Sequence, residues 1–212
     1  MTGKDDRFQK ALDQGHSAAW DQDWGRAATY YQQALDERPD DVKALTSLGL
    51  ALYEIREYAE SLEYYSRVAE LSPEDPVAFE KKAVLHEHLG EVRQAASSAT
   101  KAAELHLERG DIEKAIENWS RAVGVYPEHL QAHARLAVVY DRMGNKSKAA
   151  SEYLIVASLL QNAGKKVQGK QAIERAMQVA PKDEKVKRAS EMLHRGIMLP
   201  KPARPHGGTT PL

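Results

Sequence analysis

AATYYQQALDERP, residues 27–39, and SLEYYSRVAELSP, residues 61–73, are two versions of one pattern. Each opens on a small residue (Ala27, Ser61), places a tyrosine four residues on (Tyr31, Tyr65) and stops at a proline eight residues later (Pro39, Pro73). The pattern therefore recurs after 34 residues. A spacing of four is about one helical turn, so the small residue and the tyrosine share a face. The proline ends the helix, because it lacks an N–H and its ring collides with the preceding turn. Helices approach closely only where a small side chain permits it, and the aromatic fills the hollow beside it.

The prolines continue at a changed interval. After Pro73 they fall at Pro127 and Pro181, each 54 residues on, so one extra helix is inserted per unit. Sliding residues 76–127 onto 130–181 superposes Ala83 on Ala137, Gly90 on Gly144, Ala95 on Ala149, Ala103 on Ala157, Leu105 on Leu159, Gly110 on Gly164 and Ala122 on Ala176. This is an internal duplication of a three-helix unit. Its middle helix, about 92–108, closes one repeat through Ala95, Ala99 and Ala102. It opens the next, in which Ala115, Trp119 and Pro127 stand at the signature spacing. The stretch around 146–162 repeats this. A helix shared by two repeats needs small or apolar residues on more than one face.

The small residue, the aromatic one turn later and the helix-ending proline, with Leu48 and Gly49 as a Leu-Gly pair, resemble the tetratricopeptide repeat, a family built on a 34-residue helix-turn-helix. The resemblance covers roughly residues 8–183. It implies an all-α fold, a right-handed α-solenoid of antiparallel helix pairs with about eleven helices. Breaks are expected near 15–23, Pro39, Tyr58, Pro73, Gly90, Gly110, Pro127, Gly144, Gly164 and Pro181. The expected organisation is an N-terminal tail over 1–7, repeats over 8–41 and 42–75, and three-helix units over 76–129 and 130–183. A polar-faced capping helix over 184–197 and a disordered proline- and glycine-rich tail over 198–212 complete it.

Composition agrees with a helical chain and narrows its chemistry. The 212 residues are rich in helix formers, and their β-branched and aromatic residues never alternate at period two. Thirty basic against thirty-one acidic residues give a net charge of −1, with no whole-chain attraction to nucleic acid or anionic lipid. The absence of cysteine excludes disulfides, thiolate metal sites and a cysteine nucleophile. The polar start MTGKDDRFQK has no signal-peptide core, and a cytoplasmic location is the expectation.

Motifs that suggest chemistry are better read as structure. GKKVQGKQ, residues 164–171, matches a phosphate-binding loop until Gln171 takes the place of the magnesium-holding hydroxyl. It also follows a helix rather than a strand. Gly164 is expected as a turn glycine and Gly169 as a small helix residue. His86 and His88 project about 200° apart on a helix and cannot share a metal ion. His129 and His133 are expected, like them, as surface or groove histidines. No catalytic constellation, cofactor motif or metal site is expected.

By resemblance, the first helices of such repeats line a concave groove that takes a peptide or helix of a partner. Groove positions fall on Gln9, His16, Trp20, Lys43, Thr46, Leu50, Tyr53, Glu54, Glu80, Val84 and Glu87. Trp20, Leu50, Tyr53 and Val84 form an apolar strip, and the carboxylates beside it suit a segment carrying lysine or arginine. Where family members clamp a C-terminal carboxylate with lysine, asparagine and arginine, this chain offers Leu12, His16 and Ser47, which argues against that mode. The expected function is a non-catalytic protein-protein interaction scaffold or adaptor. The alternative is a regulatory or assembly domain of a longer protein whose catalytic or DNA-binding region follows the tail.

Overall fold

The computed structural model describes residues 3–202 and, among them, eleven α-helices and no strand. The chain divides into two compact units, Met1–Arg109 and Gly110–Leu212. The first holds α1 (Gly3–Trp20), α2 (Trp24–Glu37), α3 (Val42–Glu54), α4 (Tyr58–Leu71), α5 (Pro76–His88) and α6 (Val92–Glu108). The second holds α7 (Ile112–Val125), α8 (Leu130–Arg142), α9 (Lys146–Asn162), α10 (Lys166–Val179) and α11 (Glu184–His194). Within each unit every helix packs on the next in sequence, and α9 also meets α11. No helix among the described residues is long and apolar enough to cross a membrane.

Two kinds of turn join the helices, and both are written in the local sequence. At the prolines, the residue before proline is kept out of the helical region: Arg38, Ser72, Tyr126 and Ala180 all have φ between −130° and −137° and ψ between 68° and 88°. The residue three further on closes a hydrogen-bonded turn and caps the next helix. Thus Asp41 accepts from the Ala44 N–H, Asp75 from Val77, His129 Nδ1 from Ala132, and Asp183 from Lys185 and Val186. The other turns place one residue in the left-handed region, which suits glycine at 90, 110, 144 and 164. The first two repeats put Gln22 (φ 59°) and Arg56 (φ 66°) there instead.

Gly15, expected near a break, and Gly49 of the Leu-Gly pair both lie inside helices. Gly15 is buried in α1, and a Cβ on it would stand 2.5 Å from Tyr31 Cε1; on Gly49 in α3 it would stand 2.9 Å from Tyr65 Cε2. These are the places where α1 and α3 approach the tyrosines of the repeat pattern, so close approach outweighs glycine's poor helix propensity. Ser61 uses the same proximity, its hydroxyl donating to the Gly49 carbonyl at 2.6 Å. Burial, and secondarily the charge of Glu54, push the Tyr65 phenol up to about 12.

The duplication is visible in the helices themselves. α5, α6 and α7 have 13, 17 and 14 residues, and so do α8, α9 and α10. α6 is one unbroken helix over 92–108. Its buried residues include Ala95, Ala96, Ala99, Thr100, Ala102, Ala103 and Leu105, which run around most of its circumference. α9 packs on α8 along one side and on α10 along another, as a shared helix must.

The ends differ from expectation. Residues 3–7, expected as tail, already belong to α1, where Arg7 pairs with Glu37 at 2.6 Å and Asp5 with Arg38 at 2.5 Å. The expected capping helix ends at His194, and Gly196 (φ 71°) turns the chain back. Residues 198–202, expected as disordered, instead lie against α9 with Leu199 buried. Residues 203–212, expected to continue that tail, are outside the described residues.

Candidate functional site

The strip named from the sequence lies on α1, α3 and α5. Trp20 is the last residue of α1 and is 88% exposed, an indole left almost wholly in water. It does not fold back beside Trp24, which packs half-buried against the first unit's core. His16, one turn earlier, is exposed and sets its ring edge-on to Tyr31 at 5.6 Å between centroids. Leu50 and Val84 are half-buried near the middles of α3 and α5. Lys43 is exposed at the other end of α3 from Tyr53, about 15 Å away along the axis. Gln9 is exposed and donates to Asp13; the Thr46 hydroxyl donates back to the Val42 carbonyl and is spent on its own helix.

Tyr53 is brought into a cluster that the sequence did not announce as a unit. Its hydroxyl lies 3.2 Å from His88 Nε2, and its ring meets those of Tyr58 and His88 at 5.6 and 5.5 Å. Tyr58 stacks on His88 with centroids 4.3 Å apart and planes 7° from parallel. The first residue of α4 thereby grips the last residue of α5, with Tyr53 of α3 closing the triangle. The only sequence signal was positional. His88 stands 34 residues after Glu54 and 68 after Trp20, so each first helix ends on a different side chain at one repeat position.

The acidic edge is partly committed elsewhere. Glu54 is exposed at the end of α3, and Glu87 is half-buried on α5. Glu80 Oε1 lies 2.7 Å from His106 Nε2, where it satisfies a buried imidazole on α6 rather than facing a ligand. His86 bonds Glu91 at 2.6 Å, so His86 and His88 serve different partners, as their helical spacing requires.

The expectation of surface histidines at 129 and 133 is corrected. His133 is 4% exposed; its Nδ1 lies 2.6 Å from Glu152 Oε2, and its Nε2–H donates to the Pro127 carbonyl at 3.0 Å. His129 is half-buried and keeps its Nδ1 lone pair for capping α8. Burial, then the neighbouring His133, hold its pKa below the usual imidazole value. Among the described residues, no three histidine or carboxylate groups converge as a metal ion would need. Gly164 and Gly169 are a left-handed turn residue and a buried residue of α10, so the segment 164–171 is not a phosphate loop.

Comparison with known proteins places this geometry. The chain is 28% identical over 130 residues to Tetratricopeptide repeat protein 13 of Homo sapiens, covering 55% of this chain and 15% of that protein. It is 30% identical over 109 residues to the TPR repeat-containing thioredoxin TTL4 of Arabidopsis thaliana, covering 51% and 13%. The chain therefore spans under a sixth of the length of either curated relative. A chain of the solved CopN-Scc3 complex shares the fold with a TM-score of 0.50 at 21% identity, over 55% of this chain and 70% of that one. The family model described as Tetratricopeptide repeat matches residues 12–76 and 100–158, more than half of the sequence. With the 34-residue spacing, the helix-turn-helix geometry and these matches together, the chain belongs to the tetratricopeptide repeat family.

Proposed function

We propose that this chain is a non-catalytic protein-interaction scaffold that holds a peptide or helical segment of a partner protein along the first helices of its N-terminal unit. The observation that carries the reading is Trp20. A tryptophan 88% exposed at the end of a first helix covers no core, yet it offers the side chain that most often anchors an interface. Leu50, Tyr53 and Val84 extend the apolar contact, and Glu54, Glu87, Lys43 and His16 form its polar border. With Glu80 engaged by His106, the exposed Glu54 is the carboxylate that favours lysine or arginine in the segment. The cytoplasm is the proposed location, on the cysteine-free composition described above.

Trp20→Ala tests this without disturbing the fold, since the indole packs on little. The expected result is an unchanged melting temperature together with a loss of ten-fold or more in affinity for a partner isolated on the wild-type chain. The remaining binding should weaken as salt rises. Equal affinity of variant and wild type would move the interface elsewhere. Tyr53→Ala is the poorer test, because it also opens the cluster with Tyr58 and His88.

A further inference from the structure

Beyond α11 the chain reverses at Gly196, whose N–H donates to the Leu193 carbonyl while the Ile197 N–H reaches Met192. Residues 197–202 then run without regular secondary structure across α9. Leu199 enters a cluster with Val156 and Leu160 of α9, Ile173 of α10 and Ala189 of α11. Its N–H donates to Gln161 Oε1 at 2.9 Å, and the Ser158 hydroxyl donates to the Pro200 carbonyl at 2.6 Å. Gln161 and Ser158 are 7% and 2% exposed, so two buried side chains of α9 are spent on the main chain of this segment. Gly169 makes room for the first of them: a Cβ there would stand 2.9 Å from Gln161 Cγ and 3.2 Å from the Ala157 carbonyl.

This is the chemistry of holding an extended peptide. A carboxamide and a hydroxyl read one N–H and one C=O whatever the sequence, an apolar hole reads leucine, and prolines at 200 and 202 favour extended backbone. Among the described residues, the occupant fills the site incompletely. Beside it lies a cavity of about 570 Å³ between α9 and α11, lined by Leu154, Ile155, Met192 and Met198, with Lys185 and Arg188 among its walls. Neither cation has an acidic partner among the described residues, while Lys201 of the segment reaches Glu128 at 3.9 Å.

We propose that the face of α9 and α11 is a second peptide site, held in cis by residues 197–202. Its trans ligand is an extended segment with a Leu-Pro core and a carboxylate set against Lys185 and Arg188. A short tether gives the cis segment an effective concentration near the millimolar range, so it suppresses weak ligands and yields to one that also fills the cavity and neutralises the cations. The site is separate from the strip on α1, α3 and α5 and does not rest on it.

The probe is a fluorescein-labelled peptide of residues 196–202 carrying Met198→Glu, which sets a carboxylate beside the cations and keeps Lys201 for Glu128. Leu199→Asp in the full chain should release the cis segment and tighten probe binding at least ten-fold over wild type. Lys185→Gln with Arg188→Gln should remove the advantage of this probe over the unaltered peptide, and Trp20→Ala should leave its binding unchanged. In the wild-type chain, saturating probe should expose the Leu199 amide to hydrogen exchange, a reading that holds even if Leu199→Asp folds poorly. Equal probe affinity in the released and intact chains, an amide still protected at saturation, or loss of binding in Trp20→Ala would each overturn the proposal.

Discussion

Residues 76–129 and 130–183 match at an interval of 54 and open on helices of equal length, yet these two copies of the sequence tie their first two helices together at different places. In the earlier copy His106 of α6 meets Glu80 of α5; in the later copy His133 of α8 meets Glu152 of α9. Fifty-four residues on from Glu80 and His106 stand Ala134 and Leu160, and fifty-four back from His133 and Glu152 stand Phe79 and Ser98. Each site thus holds a polar pair in one copy and, in the other, residues that form no such pair. The backbone of the unit does not need the pair at either position; helix packing sets the shape. What is required is that a buried imidazole, wherever it arises, finds a partner.

The largest expected effect comes from breaking a pair on one side only. His133→Ala leaves Glu152 and the Pro127 carbonyl unsatisfied and should cost about 3 kcal/mol in urea unfolding. His106→Ala should cost less, because the Glu80 side chain is 31% exposed against 18% for Glu152 and can turn to water. Next comes a position where the copies differ in bulk. Ala99 of α6 is wholly buried, while its counterpart is Tyr153. Ala99→Leu should overpack by about 2 kcal/mol and lower the melting temperature accordingly. An unshifted melting curve would mean that α6 has slack on one side.

The copies also begin differently, with Asp75 before the first and His129 before the second; Asp183 follows the pair. His129 titrates below the unfolded imidazole, chiefly because it is buried. As pH falls through about 6.5 the unfolded chain takes a proton that the folded chain declines, so stability drops on acidification from there downward. His129→Asp should raise stability by about 1 kcal/mol at pH 5 and move this loss into the carboxylate range, as melting at pH 7 and pH 5 would show. The smallest effect should be the most telling. His106→Leu with Glu80→Ala gives the earlier copy the residues of the later one, and should lie within about 1 kcal/mol of wild type although His106→Leu alone does not. A double replacement as damaging as the single one would mean that the pair does more than satisfy itself.

What could be read in the sequence was what local chemistry determines. Proline turns and glycine turns depend on a few neighbouring residues, and most helix limits followed from them. Gly15 was misread because glycine's weakness in a helix is local knowledge, whereas its closeness to Tyr31 appears only once α1 and α2 have packed. The histidine pairs escaped for the same reason, their carboxylates lying 26 and 19 residues away on other helices. Of the candidate strip, the placing of Trp20 and Tyr53 near the ends of first helices was legible. The ring stack of Tyr58 on His88 was not, since it joins the ends of two helices. Residues 198–202 read as unstructured because proline and glycine form no helix, but an extended segment needs only a receptor.

The docked segment also bears on the order of events as the chain folds. Its hydrogen bonds span 38 and 42 residues, whereas nearly all helix neighbours in each unit are sequence neighbours, α9 with α11 being the exception, and can meet by closing short loops. Hairpins such as α1 with α2, or α9 with α10, can therefore form early and locally. The leucine hole does not exist until α9, α10 and α11 are all in place. Among the described residues of the second unit, 197–202 should then be the last to gain protection and the first to lose it. A protease that cuts there would time the completion of the unit during refolding and mark its earliest fraying on heating.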